Sequence, residues 1–304
     1  MLSAVKTLAV YTTVYPGIEP YLKDWCRSVL EQTDRDYQLW IGVDALEPGT
    51  IKEALGASVK AIWVAAASGE TPAQIRQRAM SQIVRTCDGV VLVDSDDILH
   101  PSRVSAARTA LQTSDLAGCA LRLVDQQGRD LGTTFGLPAQ ARPENVFPRN
   151  NVFGLSNSAF RSDLLRRCLP IPTAAVLVDW YLSTKAWLFG ASLSFDPVAR
   201  MDYRQHSANM AKVCAPFKSA QVARDTERVM QHFQMICSTT LEDCIPERIS
   251  KTERVAADVE FFYRQIVLRP NRLEDYVRKL NDLDPAPLWW SCVAHPSLNQ
   301  MWMQ

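Results

Sequence analysis

Four short runs of aliphatic and β-branched residues fall within the first hundred positions: TLAVYTTV (7–14), YQLWIGVD (37–44), VKAIWVAA (59–66) and GVVLVD (89–94). Each is followed by turn-forming or polar residues, the pattern of a strand. The last has no polar alternation, so it requires burial on both faces. Between the first two, EPYLKDWCRSVLEQT (19–33) sets Leu22, Trp25, Cys26, Val29 and Leu30 at helical spacing. A second helix opens at TPAQIRQRAM (71–80), with Thr71 as cap, Pro72 at the first helical position and Gln74 completing a capping box. Its apolar face is Ile75, Ala79 and Ile83. Strands alternating with helices predict an α/β domain whose mostly parallel sheet is covered on both faces. In such sheets ligands gather at the carboxyl ends of strands. Asp44 and Asp94 end the second and fourth strands and are expected in one crevice.

Beyond that half, residues 118–155 read as mixed strand and loop, with DQQGRD as a turn and LPAQARPENVFPRNN (137–151) as a long loop of the kind that is often functional. Helices are expected at RSDLLRRCL (161–169) and VLVDWYLSTKAWLFG (176–190), the second closed by Gly190. From about 213 the text turns helical: Val222, Val229, Phe233 and Ile236 share a face, as do Ala256, Val259, Phe262 and Ile266, then Leu273, Tyr276, Val277 and Leu280. The expected organisation is a domain over 1–212 and a helical appendage over 213–304.

Lys plus Arg and Asp plus Glu balance at 33 each, so no overall field favours nucleic acid or an anionic membrane. A charged ligand must be held by a local site. Eight cysteines stand singly, without metal or redox spacing, and read as small buried hydrophobes of a reducing compartment, which places the chain in the cytoplasm. The N-terminal apolar run reads as a first strand rather than a leader. No run is long enough to span a bilayer. PLWWSCV (287–293) could meet a membrane surface, a lipid-linked acceptor or a second subunit.

The chemistry concentrates at VVLVDSDDILHP (90–101). In an extended strand end Asp94 and Asp96 project to one side and Ser95 to the other. Two such carboxylates repel unless a cation sits between them or their ligand, and a hard cation such as Mg²⁺ or Mn²⁺ uses one or two carboxylates plus phosphate oxygens. The plainer alternative is an Asx-type turn capping a helix that begins near Pro101.

Set in order, YTTVYPGIEPYLKDWCRSVLEQTDRDYQLWIGVD, IRQRAM, GVVLVDSDDILHP, VDWYL and YRQHSANM resemble the family 2 glycosyltransferases, inverting enzymes of the GT-A fold, over about residues 1–212. The resemblance implies that Thr12, Thr13 and Tyr15 line a nucleotide pocket, that Asp44 meets the base or ribose, and that Arg76 lies near the nucleotide. The D-S-D segment Asp94, Ser95 and Asp96 falls in the donor grip, Asp94 on the ribose and Asp96 on a divalent metal, with Asp97 as the extra acid of a common variant. Asp179 in VDWYL matches the general base, with Val178 where the family usually has Glu. An N-cap is the structural alternative for that aspartate. The resemblance further implies that His206 completes the metal or diphosphate site, with Arg204 nearby for phosphate charge. NNVFGLSNSAFRSDLL resembles the acceptor-side segment, with Asn151, Gly154 and Ser156 as its polar and small residues.

In this chemistry an acceptor hydroxyl attacks the anomeric carbon opposite the leaving nucleoside diphosphate. The implied partners are a nucleoside-diphosphate sugar and a hydroxyl-bearing glycan or lipid-linked acceptor, with Mn²⁺ or Mg²⁺ as cofactor, in glycan or polysaccharide synthesis. A haloacid-dehalogenase-like phosphatase also writes DxD after a strand, with the first Asp as nucleophile. That pattern wants Thr or Val where Ile98 stands, and the later acidic pairs, Glu242-Asp243 and Glu274-Asp275, fall in helical or helix-flanking text. A relative that binds nucleotide sugar or a partner without turnover is the non-enzymatic alternative. No GxGxxG or GxxxxGK[ST] loop is present, which removes dinucleotide and P-loop enzymes.

Overall fold

The computed structural model describes residues 3–46, 48–56, 60–138, 140–206, 209–239, 242–283 and 285–303. The four aliphatic runs form β1 (Leu8–Val14), β2 (Gln38–Val43), β3 (Ala61–Ala65) and β4 (Gly89–Leu92), all parallel. β1 and β4 are buried along their whole length, as their unbroken aliphatic text requires. The helices between them are α1 (Glu19–Leu30), α2 (Pro48–Leu55) and α3 (Pro72–Thr86). α1 buries Leu22, Trp25, Cys26 and Val29. α3 starts on the expected capping box: the Thr71 N–H donates to Gln74 Oε1 at 2.8 Å, and Gln74 N–H returns to Thr71 Oγ1 at 3.4 Å.

The second half supplies β5 (Ile98–Leu99), α4 (Arg103–Ala110), β6 (Leu116–Val124), β7 (Asp130–Phe135), α5 (Pro143–Val146), β8 (Ser158–Arg161), α6 (Ser162–Cys168), α7 (Val178–Leu188) and β9 (Leu193–Arg204). The described strands make one sheet in the order β3-β2-β1-β4-β8-β6-β9-β5, with β7 paired to β6. β8 runs antiparallel to both β4 and β6, so the loop before it arrives at the edge where β4 ends. Its register matters: Val91 pairs with Ala159, and three residues further on Asp94 comes to face Ser156. β5 pairs antiparallel with the end of β9, Ile98 with Asp202, and this brings the stretch after β9 back beside the aspartates before β5.

The helical text after 213 forms α8 (Ser219–Ser238), α9 (Pro246–Phe262), a π-turn over Tyr263–Val267 and α10 (Pro270–Leu283). The expected faces are the buried ones: Val222, Val229, Phe233 and Ile236 on α8, and Leu273, Tyr276, Val277 and Leu280 on α10. These helices share one hydrophobic core with the sheet and α7. The chain then returns to the sheet. Asn151 and Trp289 form an antiparallel bridge, and Trp289 and Trp290 are each 5% exposed. The tryptophans expected to meet a membrane or another subunit therefore face inward, because Phe135, Tyr203 and Trp180 offer them aromatic partners. Among the described residues no helix is long and apolar enough to cross a membrane. All eight cysteines are free thiols, five of them buried.

Candidate active site

The acidic corner is built by two registers. β4 delivers Asp94 at its carboxyl end, and a tight turn in which the Asp97 N–H reaches the Asp94 carbonyl folds Asp96 and Asp97 back beside it. Ligand oxygens of Asp94, Asp96 and Asp97 lie within 4.8 Å of one another. From the turn before β8 comes Ser156, whose hydroxyl lies 2.9 Å from Asp94 Oδ2 and also contacts Asp97 Oδ2. A serine has one hydrogen to donate, so the two carboxylates compete for it. Burial first, then the charges of Asp96 and Asp94, raise the Asp97 carboxyl well above the ordinary range, and its Oδ1 accepts the Arg204 N–H at 2.8 Å. Burial and the Asp96 charge push Asp94 up to about 7, with Arg76 drawing it back.

The turn does not cap α4, whose N-cap is Ser102, so the plain helix-cap explanation of the aspartates does not apply. Buried carboxylates that raise one another's pKa are a donor set in want of positive charge. Asp94 and Asp96 have the hard oxygen donors for a divalent cation, and His206 Nε2 lies 2.9 Å from Asp96 Oδ2. The residues therefore fit such an ion. The His206 ring is held by stacking on Tyr21, with centroids 5.1 Å apart.

Beside this corner a cavity of about 700 Å³ opens at the carboxyl ends of β1, β2 and β4, the size class of small-molecule sites. Thr13, Tyr15, Asp44, Arg76, Asp94, Asp96, Gly154, Asp179 and His206 all line it. Arg76 makes no hydrogen bond or ion pair among the described residues, so its guanidinium is available to a ligand, and it acts on Asp94 and Asp179 through charge alone. Three residues carried over by resemblance stand elsewhere. Thr12 is buried with its hydroxyl unpartnered, on the opposite side of β1 from Thr13. Ser95 is fully buried, and its hydroxyl donates to the Thr13 carbonyl at 2.8 Å, tying the ends of β4 and β1 together. Arg204 is 1% exposed and committed inside the protein: it donates to the Asp96 carbonyl at 2.8 Å, the Gln126 carbonyl at 2.8 Å and Asp24 Oδ2 at 3.1 Å. Its guanidinium braces the acidic turn instead of facing a phosphate.

On the other wall, Asp179 occupies the first turn of α7, whose N-cap is Leu177. Burial raises its carboxyl to about 6, while the backbone N–H groups of Trp180 and Asp179, the charge of Arg76 and the Asn151 amide all act in the opposite sense. Asn151 is fully buried and donates to Asp179 Oδ2 at 2.7 Å. Of the three residues expected on the acceptor side, Asn151 thus contacts Asp179, Ser156 bridges aspartates, and Gly154 alone reaches the cavity. Gly154 is required by a close approach: a Cβ there would lie 2.3 Å from the Trp289 ring. Sequence reasoning missed Tyr203, Trp289 and Trp290 as cavity walls. The Trp289 Nε1 donates to Tyr203 Oη at 3.4 Å across 86 positions, and no local spacing signals such a pairing.

No family model matches the sequence, and no curated protein matches it. Solved structures do. TarS of S. aureus, residues 1–349 in complex with UDP-GlcNAc, superposes with a TM-score of 0.58 at 16% identity, over 84% of this chain and 72% of that one. The mannosyltransferase PcManGT of Pyrobaculum calidifontis, in complex with GDP-Man and Mn²⁺, gives a TM-score of 0.55 at 16% identity, over 92% of this chain and 81% of that one. The chain has the GT-A glycosyltransferase fold, a parallel-rich sheet flanked by helices.

Proposed function

We propose that this protein is a metal-dependent inverting glycosyltransferase of the family 2 type, moving a hexosyl or deoxyhexosyl group from a nucleoside-diphosphate sugar to a hydroxyl of a glycan or lipid-linked acceptor. The observation that carries the reading is the pairing, across one cavity, of the Asp94–Asp96 corner with Asp179 on the facing wall. One end of such a cavity suits a diphosphate and its cation, the other a proton acceptor. That structures of similar fold hold UDP-GlcNAc, or GDP-Man with Mn²⁺, supports the same assignment here.

In this reading Asp44 and Tyr15 meet the nucleoside, and Thr13 lies beneath it. Asp94 and Asp96, with His206, would hold the cation, which would supply positive charge to the departing diphosphate. Arg76 adds a second positive charge at the same end. Asp179 takes the proton from the acceptor hydroxyl as its oxygen bonds the anomeric carbon, a contribution of roughly 10² to 10⁴ in rate. Donor and acceptor held in line provide much of the remaining acceleration. The region after 213 acts with the sheet domain, because its Trp289 and Trp290 close the base side of the cavity.

The test separates binding from chemistry. Asp179→Asn should bind donor like the wild type and lose transfer. Normal turnover by that variant removes Asp179 as base and with it this reading of the site.

A further inference from the structure

Asn151 has both ends of its amide engaged. Nδ2 donates to Asp179 Oδ2 at 2.7 Å, while Oδ1 accepts the Phe153 N–H at 3.0 Å and the Ser183 hydroxyl at 3.3 Å. Only the oxygen can accept from a backbone N–H, so the amide has a single orientation and presents N–H to the carboxylate. The backbone is pinned as well. Asn151 bridges to Trp289, Asn150 Nδ2 donates to the Trp289 carbonyl at 3.3 Å, and the Trp289 ring lies against Gly154. That C-terminal strip is itself tied down. Arg149 donates to Asp258 Oδ2 at 2.6 Å and to the Ala294 carbonyl at 3.1 Å, and Tyr276 Oη donates to the Cys292 carbonyl at 3.0 Å.

We propose that Asn151 is a positioning residue for Asp179, locked by Trp289 of the C-terminal segment: by holding Oδ2 it fixes the orientation in which the carboxylate takes the acceptor's proton. The proposal rests on the transferase reading above. In the step concerned, the acceptor O–H proton passes to Asp179, the hydroxyl oxygen bonds the anomeric carbon, and the electron pair of the breaking C–O bond leaves with the diphosphate. An amide N–H can only donate, so Asn151 favours the ionised carboxylate that a base must be. Two charged side chains also face Asp179: Arg76 on α3, which favours ionisation, and Asp94 after β4, which opposes it. Full burial of Asn151 separates this role from direct contact with an acceptor.

The experiment reads Asp179 itself. The carboxyl titration is followed by carbon-detected NMR on the full chain, with Asp179→Asn assigning the signal. Asn151→Ser, too short to reach, should move the titration upward by about one pH unit, the size expected from losing one hydrogen bond to the charged form. Ser183→Ala, which removes one of the two hydrogen bonds that hold the amide oxygen, should move it the same way by less. With an active donor, the acid limb of kcat/KM should follow the titration while donor KM stays unchanged. A cooperatively melting Asn151→Ser with the wild-type titration overturns the proposal. If that variant does not fold, an unmoved titration in Ser183→Ala does so. A shifted titration in a protein inert toward every donor supports the Asn151 contact and instead counts against the transferase reading.

Discussion

His206 Nε2 lies 2.9 Å from Asp96 Oδ2 across 110 positions of chain, because β5 pairs with the end of β9 and so folds the residues after β9 onto the turn after β4. This contact turns a run of aspartates into a mixed oxygen and nitrogen donor set. Removing the imidazole should leave the fold intact and weaken the cation. His206→Ala is expected to bind Mn²⁺ roughly 10- to 100-fold more weakly, the range seen when a metal site loses a supporting group. Calorimetric titration with Mn²⁺ checks this, and equal affinity in the two proteins would exclude His206 from the site.

The two arginines that sequence reasoning assigned to the nucleotide should part company. Arg204 is buried and braces the Asp96 carbonyl and Asp24, so Arg204→Ala leaves buried acceptors unpaired and should cost about 3–5 kcal/mol of stability. Arg76 lines the cavity without a hydrogen-bond partner among the described residues. Arg76→Ala should cost less stability than Arg204→Ala while weakening donor binding. Denaturant melts and donor titrations of both variants distinguish the roles. A stable Arg204→Ala with a selective donor defect would reverse them.

Gly154→Ala tests the seat of the C-terminal segment. The new methyl would stand 2.3 Å from the Trp289 ring, so the strip must shift, at a cost of about 1–3 kcal/mol. Acceptor KM should rise with it and donor affinity should hold. Wild-type stability in this variant would mean that Trp289 does not rest on the 150–154 loop.

A pH dependence follows from Asp179, whose carboxyl burial raises from 3.8 to about 6. A base must be ionised, so transfer should fall as pH drops through about 6, tenfold per unit below it. The stability sign is opposite. A carboxyl with a raised folded-state pKa contributes stability that is fully present below 3.8 and is lost as pH rises through about 6. Asp179→Asn should therefore melt higher than the wild type at pH 8 while being inactive. A pH-independent rate between 5 and 8, or a lower melting temperature for the variant at pH 8, would contradict this assignment.

The parallel half of the sheet was legible because strands buried on both faces must be written as aliphatic runs, and because Thr71 and Gln74 mark a helix start by local hydrogen bonds alone. Asp44 and Asp94 were legible for the same reason, since they follow strand ends directly, whereas Asp96 reaches the same corner through a tight turn and not through an extended strand end. What was not legible depends on pairing over long separations. β9 is only partly buried, with Asp196 and Pro197 interrupting it, and it becomes a strand through β6 and β5. The side-chain fates of Arg204 and Ser156 follow from strand registers that no local pattern encodes. Trp289 reads as a surface aromatic until α8, α9 and α10 carry it back to Asn151.

The decisive measurement is thermal stabilisation of the wild type and of Asp96→Ala by UDP-, dTDP- and GDP-sugars, each with and without Mn²⁺. At least one donor should raise the wild-type melting temperature only when Mn²⁺ is present, and the effect should vanish in Asp96→Ala. If no donor stabilises the wild type with Mn²⁺, or if Asp96→Ala responds as the wild type does, the acidic corner is not a diphosphate and metal grip.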